Sequence, residues 1–384
     1  MDVAKARMTR RAIAAGIVVG AVSLAADSSP SVEDAQAAQA RRTPPAPLTQ
    51  AELNRLRASI GIPALAAAAQ TQSETPLEWV SGVRRRGAPE PATTLDRWHV
   101  GSIAKSMTAT LAALCVEAGE LSWADTVEHV LGPLAPDMRD EYRDVTLIHL
   151  LSHRAGMQTD VIDFAALGLE FGDQDSRDAR RAIARQALRQ APAGPPETTY
   201  DYSHAGYLVA TAMLEAKLGM PWEALIRERL FTPLGLRETG FGPPGLDGEG
   251  PQPVGHASWF TPSITPHPPG ESIADIPAAW RPAGGVHATM GDLLLYLNAH
   301  RDRTALLKRE TWRLLHTPPF GGDYALGWYI RDGKLWHNGA NTMWYAEILA
   351  DPAAKKSAVA VCNDGRMDTV TPVVHATLIS AAQH

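Results

Sequence analysis

Short β-type runs stand at both ends of this chain and enclose a long stretch of helical patterns. Two apolar runs near the start, residues 64–69 and 77–83, have the composition of a strand pair. Further runs of this type lie near the end, at residues 324–330, 334–337, 343–349 and 357–362. Strands from both termini around a helical middle predict an α/β (α+β) fold. In it, one antiparallel sheet built from both ends is flanked by helices and carries an inserted, mainly helical lobe.

Local signals place the borders of this domain. A capping-box pattern at Thr49 and Glu52 predicts the first helix, so we expect the domain to cover residues 49–384. The helical patterns with Pro and Gly punctuation are concentrated in its middle part. The resulting lobe assignment is a sheet lobe at about residues 49–120 and 280–384, and a helical lobe at about residues 121–279.

Turn residues predict three further features. Asp332-Gly333 lies between two β-type runs and predicts a hairpin. Thr371-Pro372 predicts the start of a final helix, because Thr suits the N-cap and Pro the first helical position. The stretch 242–278 is rich in Pro, Gly and Ser, so we expect a surface loop near a cleft.

The segment before the domain has the features of an export signal. Basic residues between Lys5 and Arg11 precede an apolar stretch, residues 12–26, that is shorter than the ~20 residues a membrane span needs. We therefore predict an export signal at residues 1–26, a disordered tether at residues 27–48, and a periplasmic or extracellular location. No stable membrane span is expected after signal removal, and the cleavage site is left open.

Charge and cysteine content exclude several classes of function. The formal net charge is −6 and the arginines are scattered, so the chain has no electrostatic footprint for nucleic acid. A small-molecule or peptide substrate suits it better. Cys115 and Cys362 are its only cysteines, which rules out a disulfide framework and a Cys-based zinc site; whether they pair is left open. We expect no cofactor and no metal.

Ser102 and Lys105 are the first residues that indicate chemistry. They are three residues apart at the start of an apolar segment, residues 102–118, which has the pattern of a buried helix ended by Gly119. A serine hydroxyl needs a base, and a lysine buried in such a helix can lose its proton. Amides at a helix start also favour a developing oxyanion near Ser102.

Two other segments carry polar residues in suggestive places. One is Tyr202-Ser203-His204 at the head of an apolar helical run, and the other is His337-Asn338-Gly339-Ala340 at the end of a predicted strand. A single tyrosine or histidine is more often a satisfied structural group. Their order along the chain, after Ser102 and Lys105, is what favours a functional interpretation.

Together the three segments resemble the penicillin-recognising serine hydrolases, in the branch of class C β-lactamases, D-alanyl-D-alanine carboxypeptidases and related esterases. Matching stretches also occur at residues 150–156, 233–236, 283–286 and 326–328. The resemblance therefore extends from about Thr49 to the last predicted helix, and it is specific for the family rather than for a substrate.

The resemblance implies a role for each matching residue. Ser102 would be acylated, and Lys105 and Tyr202 would share the proton relay, with the identity of the base left open. His337 and Gly339 would lie on the strand that aligns the substrate, with Gly339 allowing its backbone to approach closely. The resemblance further implies an oxyanion hole made by the amides of Ser102 and Ala340. A substrate-carboxylate contact would come from Asn363.

Two departures from the family pattern affect the expected substrate. His204 replaces the usual asparagine, so we expect it in the active site, where imidazole would add an acidic limb to the pH profile. Met343-Trp344 replaces a Gly-aromatic pair, and we expect it to narrow or line the cleft. Both changes favour esterase or D-amino-acid peptidase activity over efficient β-lactam hydrolysis.

Other classes of function were weighed against the hydrolase. A non-catalytic peptidoglycan- or penicillin-binding module of the same fold would follow if His204 disabled the relay. An α/β-hydrolase is disfavoured because no Gly-x-Ser-x-Gly elbow occurs. A metalloprotease is disfavoured because no His-Glu-x-x-His occurs.

Overall fold

The computed structural model describes residues 45–72, 74–158, 176–246, 248, 250–258, 263–271 and 273–384. The predicted export signal and nearly all of the predicted tether lie outside the described residues. Among the helices in the described part of the chain, none combines the length and apolar character needed to cross a membrane.

Strands are concentrated towards the two ends of the described chain, and helices follow one another in its middle. The strands are β1 (Ala64–Thr71), β2 (Leu77–Gly82), β3 (Arg97–His99), β4 (Gly240–Phe241), β5 (Gly255–Ala257), β6 (Thr265–His267), β7 (Val286–Thr289), β8 (Tyr329–Arg331), β9 (Lys334–Ala340), β10 (Tyr345–Asp351) and β11 (Lys356–Cys362). The α-helices are α1 (Gln50–Ile60), α2 (Ala104–Glu117), α3 (Val127–Leu131), α4 (Leu147–Leu151), α5 (Arg177–Arg189), α6 (His204–Leu218), α7 (Trp222–Ile226), α8 (Thr232–Leu234), α9 (Arg281–Gly284), α10 (Met290–Asp302), α11 (Arg309–Leu315) and α12 (Met367–Ala381). Short 3₁₀ turns lie at Gly101–Ile103, Asp140–Tyr142 and Ala278–Trp280, and a π-helical turn lies at Arg227–Phe231.

The central sheet is built from both ends of the chain, as the sequence predicted. Its strand order is β2-β1-β11-β10-β9-β8, and each neighbouring pair is antiparallel. Strand β1 lies beside β11, with Ala67 opposite Ala360. Asp332 and Gly333 both have positive φ, +49° and +74°, in the tight turn between β8 and β9, which confirms the predicted hairpin. The predicted fold class is confirmed.

Both faces of the sheet are covered by helices. In β1, Ala64, Ala66 and Ala68 join the larger apolar cluster with α2 and α10, whereas Leu65 and Ala67 join a smaller cluster with α1 and α12. A strand covered on both faces needs apolar residues at every position, which explains the unbroken apolar run in the sequence. The outcome is a three-layer arrangement with the sheet in the middle.

The helix that follows Ser102 is enclosed by the rest of the domain. The chain passes from β3 into the 3₁₀ turn Gly101–Ile103 and then into α2, so the α-helix proper starts two residues later than Ser102. Almost all of α2 is buried, including Lys105. Gly119, with φ of +74°, follows the end of the helix as predicted.

The first helix starts where the sequence predicted, and the last helix starts earlier than predicted. The Thr49 hydroxyl accepts a hydrogen bond from the Glu52 amide at 3.2 Å, but the Glu52 carboxylate pairs with Arg55, so only half of the capping box forms. The final helix starts at Met367 rather than near Thr371, and Pro372 lies inside it. The turn before it is held instead by the Asp364 carboxylate, which accepts from the amide and guanidinium of Arg366.

Two further expectations are settled by the described structure. Cys115 and Cys362 are buried free thiols that belong to different apolar clusters, on opposite faces of the sheet. The described part of residues 242–278 is not a simple surface loop: it contains β5 and β6, and His256 in β5 is fully buried. Its Nδ1 contacts Asn363 O at 2.8 Å, which ties this segment to the end of β11.

Candidate active site

Ser102 and Lys105 lie together at the entrance to α2. Lys105 Nζ is 3.1 Å from Ser102 Oγ and donates to the carbonyl oxygen of Ala283 at 2.6 Å. The lysine side chain is fully buried, and among the described residues no carboxylate forms an ion pair with it. Burial therefore lowers the pKa of Lys105 well below its usual value, since an unpaired ammonium group is costly in this environment. The geometry and the charge state suit a lysine that accepts a proton from Ser102.

Tyr202 lies against the same lysine. The centroid of its ring is 4.9 Å from Lys105 Nζ. Burial raises the pKa of the Tyr202 phenol far above its usual value, while an interaction with Ser102 acts in the opposite direction. The phenol is therefore protonated at neutral pH and can donate a hydrogen bond toward the reacting group.

His204 forms a wall of the site together with Trp280. The two rings are stacked with centroids 5.0 Å apart, and the His204 ring is nearly perpendicular to the ring of Tyr202. Burial, with the nearby Lys105 as a second cause, lowers the pKa of His204 well below its usual value. Its Nδ1 is buried and has no hydrogen-bond partner among the described residues. His204 is therefore a neutral imidazole beside Tyr202 and Lys105, rather than the titrating group that the sequence led us to expect.

His337 is fixed inside strand β9 and does not contact the nucleophile. Its Nδ1 faces Asn338 O at 2.6 Å, so this nitrogen carries the proton, and its Nε2 accepts from the Tyr324 hydroxyl at 3.2 Å. Burial lowers the pKa of His337 to about 3, with Lys105 contributing in the same direction. The contacts fit a residue that fixes the orientation of the strand rather than one that carries a proton.

Gly339 permits a close backbone contact between strand β9 and the residues around Ser102. A Cβ atom at Gly339 would overlap Val100 O and lie 2.7 Å from Ser102 N. A Cβ atom at Gly101 would lie 2.5 Å from Ala340 N. The resemblance implied that Gly339 lets a substrate backbone approach the strand, and this role stays a prediction. The missing side chain also lets strand β9 lie against the turn that carries Ser102, so the amides of Ser102 and Ala340 lie at one junction.

Two predictions, a substrate contact by Asn363 and a cleft lined by Met343-Trp344, are contradicted by the structure. Asn363 is fully buried: its Oδ1 accepts from Ala64 N, and its Nδ2 donates to Arg84 O and Val254 O. Its side chain is thus used to join β1 to β11 and to two loops, and it cannot contact a substrate carboxylate. Met343 and Trp344 are also buried, with the Trp344 ring packed edge-to-face on Trp98, so they belong to the core rather than to the cleft.

Sequence reasoning missed two groups that position the site. His153 has a left-handed backbone, with φ of +59°, and its Nδ1 accepts from Ser203 N at 3.0 Å. Its ring packs on the ring of Tyr202, with centroids 4.3 Å apart, so it fixes the segment that carries Tyr202. The carbonyl of Ala283 is the second group, because it holds Lys105 in place. Both occur in stretches that matched the family, and this match was the only signal available.

Within the ranges that the structure describes, no group of three or more His, Cys, Asp or Glu residues is arranged to hold a metal ion.

The fold is that of the β-lactamase-like proteins, and a serine, a lysine and a tyrosine lie together at the junction of its sheet and helices. The chain belongs to the Beta-lactamase family, whose model matches residues 49–379. Esterases, amidases and penicillin-binding proteins are found among its relatives and structural neighbours.

One curated relative shows how far the sequence similarity extends. Penicillin-binding protein 4 of Amycolatopsis lactamdurans is 36% identical over 162 residues, which cover 42% of this chain and 40% of that protein. The chain spans between 31% and 52% of the length of the first three curated relatives it matches.

Solved structures show the same fold at low identity. EstCE1, a hydrolase with promiscuous acyltransferase activity, superposes with a TM-score of 0.72 at 19% identity, over 86% of this chain and 97% of that one. The D-amino acid amidase of Ochrobactrum anthropi SV3 has a TM-score of 0.68 at 17% identity, over 86% of this chain and 96% of that one.

Proposed function

We propose that this protein hydrolyses ester or amide bonds through an acyl-enzyme formed on Ser102. The observation that carries the proposal is the contact of 3.1 Å between Ser102 Oγ and the buried, unpaired Lys105 Nζ. A serine becomes nucleophilic when a base lies within hydrogen-bond reach, and a desolvated lysine is such a base.

Lys105 is the general base in this proposal. Its pKa is lowered by burial, whereas the pKa of Tyr202 is raised by burial. A neutral amine can take the proton of Ser102 at neutral pH, but a protonated phenol cannot. Tyr202 then donates its proton to the leaving group while it takes up, from Lys105, the proton that the lysine received from Ser102, so that both groups return to their starting states.

The oxyanion would be stabilised by the amides of Ser102 and Ala340. Ser102 lies in the first turn of a 3₁₀ helix, where amides have no partner within the helix, and strand β9 brings Ala340 to the same junction. Attack by Ser102, collapse of the intermediate and hydrolysis of the acyl-enzyme by water complete the cycle.

The substrate we propose is an uncharged ester or a D-amino-acid amide or peptide rather than a β-lactam. His204, stacked on Trp280, stands where the family resemblance implies an asparagine amide, and an esterase and a D-amino acid amidase are among the relatives and structural neighbours. Export guided by residues 1–26, to the periplasm or the cell exterior, is part of the same proposal.

Labelling with a fluorophosphonate, followed by peptide mapping, tests the acyl-enzyme. The expected result is a single adduct on Ser102 in the parent and none in Ser102→Ala. A parallel assay with p-nitrophenyl acetate, a D-alanine p-nitroanilide and nitrocefin tests the substrate class. A label on another serine would contradict the mechanism. The absence of any label and turnover would favour a non-catalytic binding module.

A further inference from the structure

His99 lies directly behind the junction that carries the two amides. It is the last residue of β3 and is buried, with His287 of β7 opposite it in the sheet. Its side chain contacts two segments that are far apart in sequence. One precedes Ser102 and the other follows Ala340.

The first contact fixes the turn before the nucleophile. His99 Nδ1 accepts a hydrogen bond from Gly101 N at 3.2 Å. Gly101 has a left-handed backbone, with φ of +51°, and it lies against Ala340. The amide of the next residue, Ser102, therefore depends on how this turn is held.

The second contact fixes the end of strand β9. His99 Nε2 lies 2.7 Å from the side-chain amide of Asn341, the residue after Ala340. Because Nδ1 accepts from Gly101, a neutral ring carries its proton on Nε2 and donates to Asn341, in the orientation of that amide that presents Oδ1. Asn341 N in turn donates to Trp344 O at 3.2 Å, in the turn between β9 and β10.

The ring is suited to hold both contacts at working pH. Burial, with His287 as a second cause, lowers the pKa of His99 to about 3. A protonated ring would place an N–H against the Gly101 amide and lose that bond. A neutral ring keeps one acceptor and one donor, and each has its partner.

We propose that His99 is a positioning residue that sets the separation of the two oxyanion-hole amides, those of Ser102 and Ala340, by bonding Gly101 on one side and Asn341 on the other. This inference rests on the proposed acyl-enzyme function of Ser102. It assigns no contact between His99 and substrate. Oxyanion donors act through fixed geometry, and small displacements of such groups cost about 10²-fold in rate.

Three substitutions of His99 separate the two contacts. His99→Asn retains an acceptor near the Nδ1 position, His99→Gln retains a polar group near the Nε2 position, and His99→Phe retains the ring shape with neither. Asn341→Ala removes the second contact from the other side. His256→Phe is the matched control, because His256 is also buried with a depressed pKa but bonds the Asn363 carbonyl instead.

The measurements are the acylation rate with a p-nitrophenyl ester, KM, the affinity for phenylboronic acid, and Tm, each corrected for the folded fraction. We expect His99→Phe to lose about 10²-fold in acylation and a parallel amount in boronate affinity, with KM changed less than about threefold. His99→Asn should recover part of the loss. The losses in His99→Phe and Asn341→Ala should be non-additive in the double variant.

The outcomes distinguish this inference from the function on which it rests. If the parent shows no fluorophosphonate adduct on Ser102, the proposed function fails. If the parent is labelled but His99→Phe acylates at the parental rate per folded molecule, or the effects of His99 and Asn341 simply multiply, the positioning role is wrong. A merely structural role would lower Tm, as in His256→Phe, without changing the rate per folded molecule.

Discussion

Gly339 and Ser102 are in backbone contact: a Cβ atom added to Gly339 would lie 2.7 Å from the amide nitrogen of Ser102. The strand that would align a substrate and the turn that carries the nucleophile are therefore one packed unit. Any side chain at position 339 must push the two apart.

The first prediction follows from this contact. Gly339→Ala should lower kcat/KM at least 10²-fold and destabilise the fold by about 1–3 kcal/mol, because overpacking at this point moves Ser102 N or strand β9. Denaturant unfolding and ester hydrolysis measure the two effects. Gly270→Ala is the control, since a Cβ atom there would meet nothing within 4 Å. Parental activity in Gly339→Ala would contradict the proposed oxyanion hole.

Lys105→Arg should be nearly as damaging as Lys105→Met in the acylation step. The guanidinium stays protonated at every working pH and cannot accept the Ser102 proton. Among the residues that the structure describes, no carboxylate forms an ion pair at position 105. We expect both variants to lose at least about 10³-fold in acylation rate, measured by stopped-flow with a p-nitrophenyl ester. An arginine variant that retained most of the rate would make Lys105 a fixed charge and Tyr202 the base.

His204→Asn tests how imidazole chemistry enters the reaction. From the sequence we expected an acidic limb near neutrality, but burial and Lys105 lower the pKa of His204 well below its usual value. The structure thus revises that expectation: kcat/KM should change in size, while the limbs of its pH profile between pH 5.5 and 8 stay in place. If a limb of the pH profile between pH 5.5 and 8 disappears in His204→Asn, His204 does titrate during the reaction and the revised expectation is wrong.

Acid should destabilise the fold before it titrates most carboxylates. Burial lowers the pKa of His316 to about 3 and of His256 to about 4, so these imidazoles are neutral when folded and take up protons only on unfolding. The unfolded chain binds more protons below pH 6.5, so their stabilising contribution is present above that pH and is lost as the pH falls, by up to about 1.4 kcal/mol per pH unit for each group. Asp275, whose pKa is raised to about 6, acts in the opposite direction.

Unfolding by urea at pH 7.5, 6.5, 5.5 and 5.0 measures this dependence. The free energy of unfolding of the parent should already decrease from pH 7.5 to 6.5, because Lys105 is neutral when folded and protonated when unfolded. It should fall more steeply below pH 6.5, where the histidines add to the effect, and this steeper part should be smaller in His316→Gln. A free energy that does not change from pH 7.5 to 5.0 would show that the histidines are not held neutral in the folded state.

The parts of the fold that sequence could predict are those fixed by local chemistry. Asp332-Gly333 predicted a tight hairpin, and the apolar run after Ser102 predicted a buried helix. The three-residue spacing predicted that Lys105 lies close to Ser102. Each depends on a few neighbouring residues, so its signal is present in a single sequence.

The errors concern groups whose partners are distant in sequence. The side-chain oxygen of Asn363 accepts a hydrogen bond from the backbone amide of Ala64, 299 residues away, and nothing in the local sequence reveals that partner. The same holds for His99: its ring bonds Gly101 on one side and Asn341 on the other, and Asn341 lies 242 residues after His99. The helix start predicted from Pro372 was wrong for a different reason. The last helix begins at Met367, directly after a turn held by Asp364 and Arg366, and Pro372 lies inside it.

The position of β1 between β2 and β11 has a consequence for how the chain reaches its native state. Its hairpin partner β2 is synthesised at once, but β11 leaves the ribosome only after nearly 300 further residues, as the distance from Ala64 to Asn363 shows. Until then the alanine-rich edge of β1 is unpaired, and the sheet cannot close. Such non-local pairing slows folding and leaves an edge that other chains can pair with. The nascent protein is therefore most prone to aggregate before β11 has been synthesised and has paired with β1.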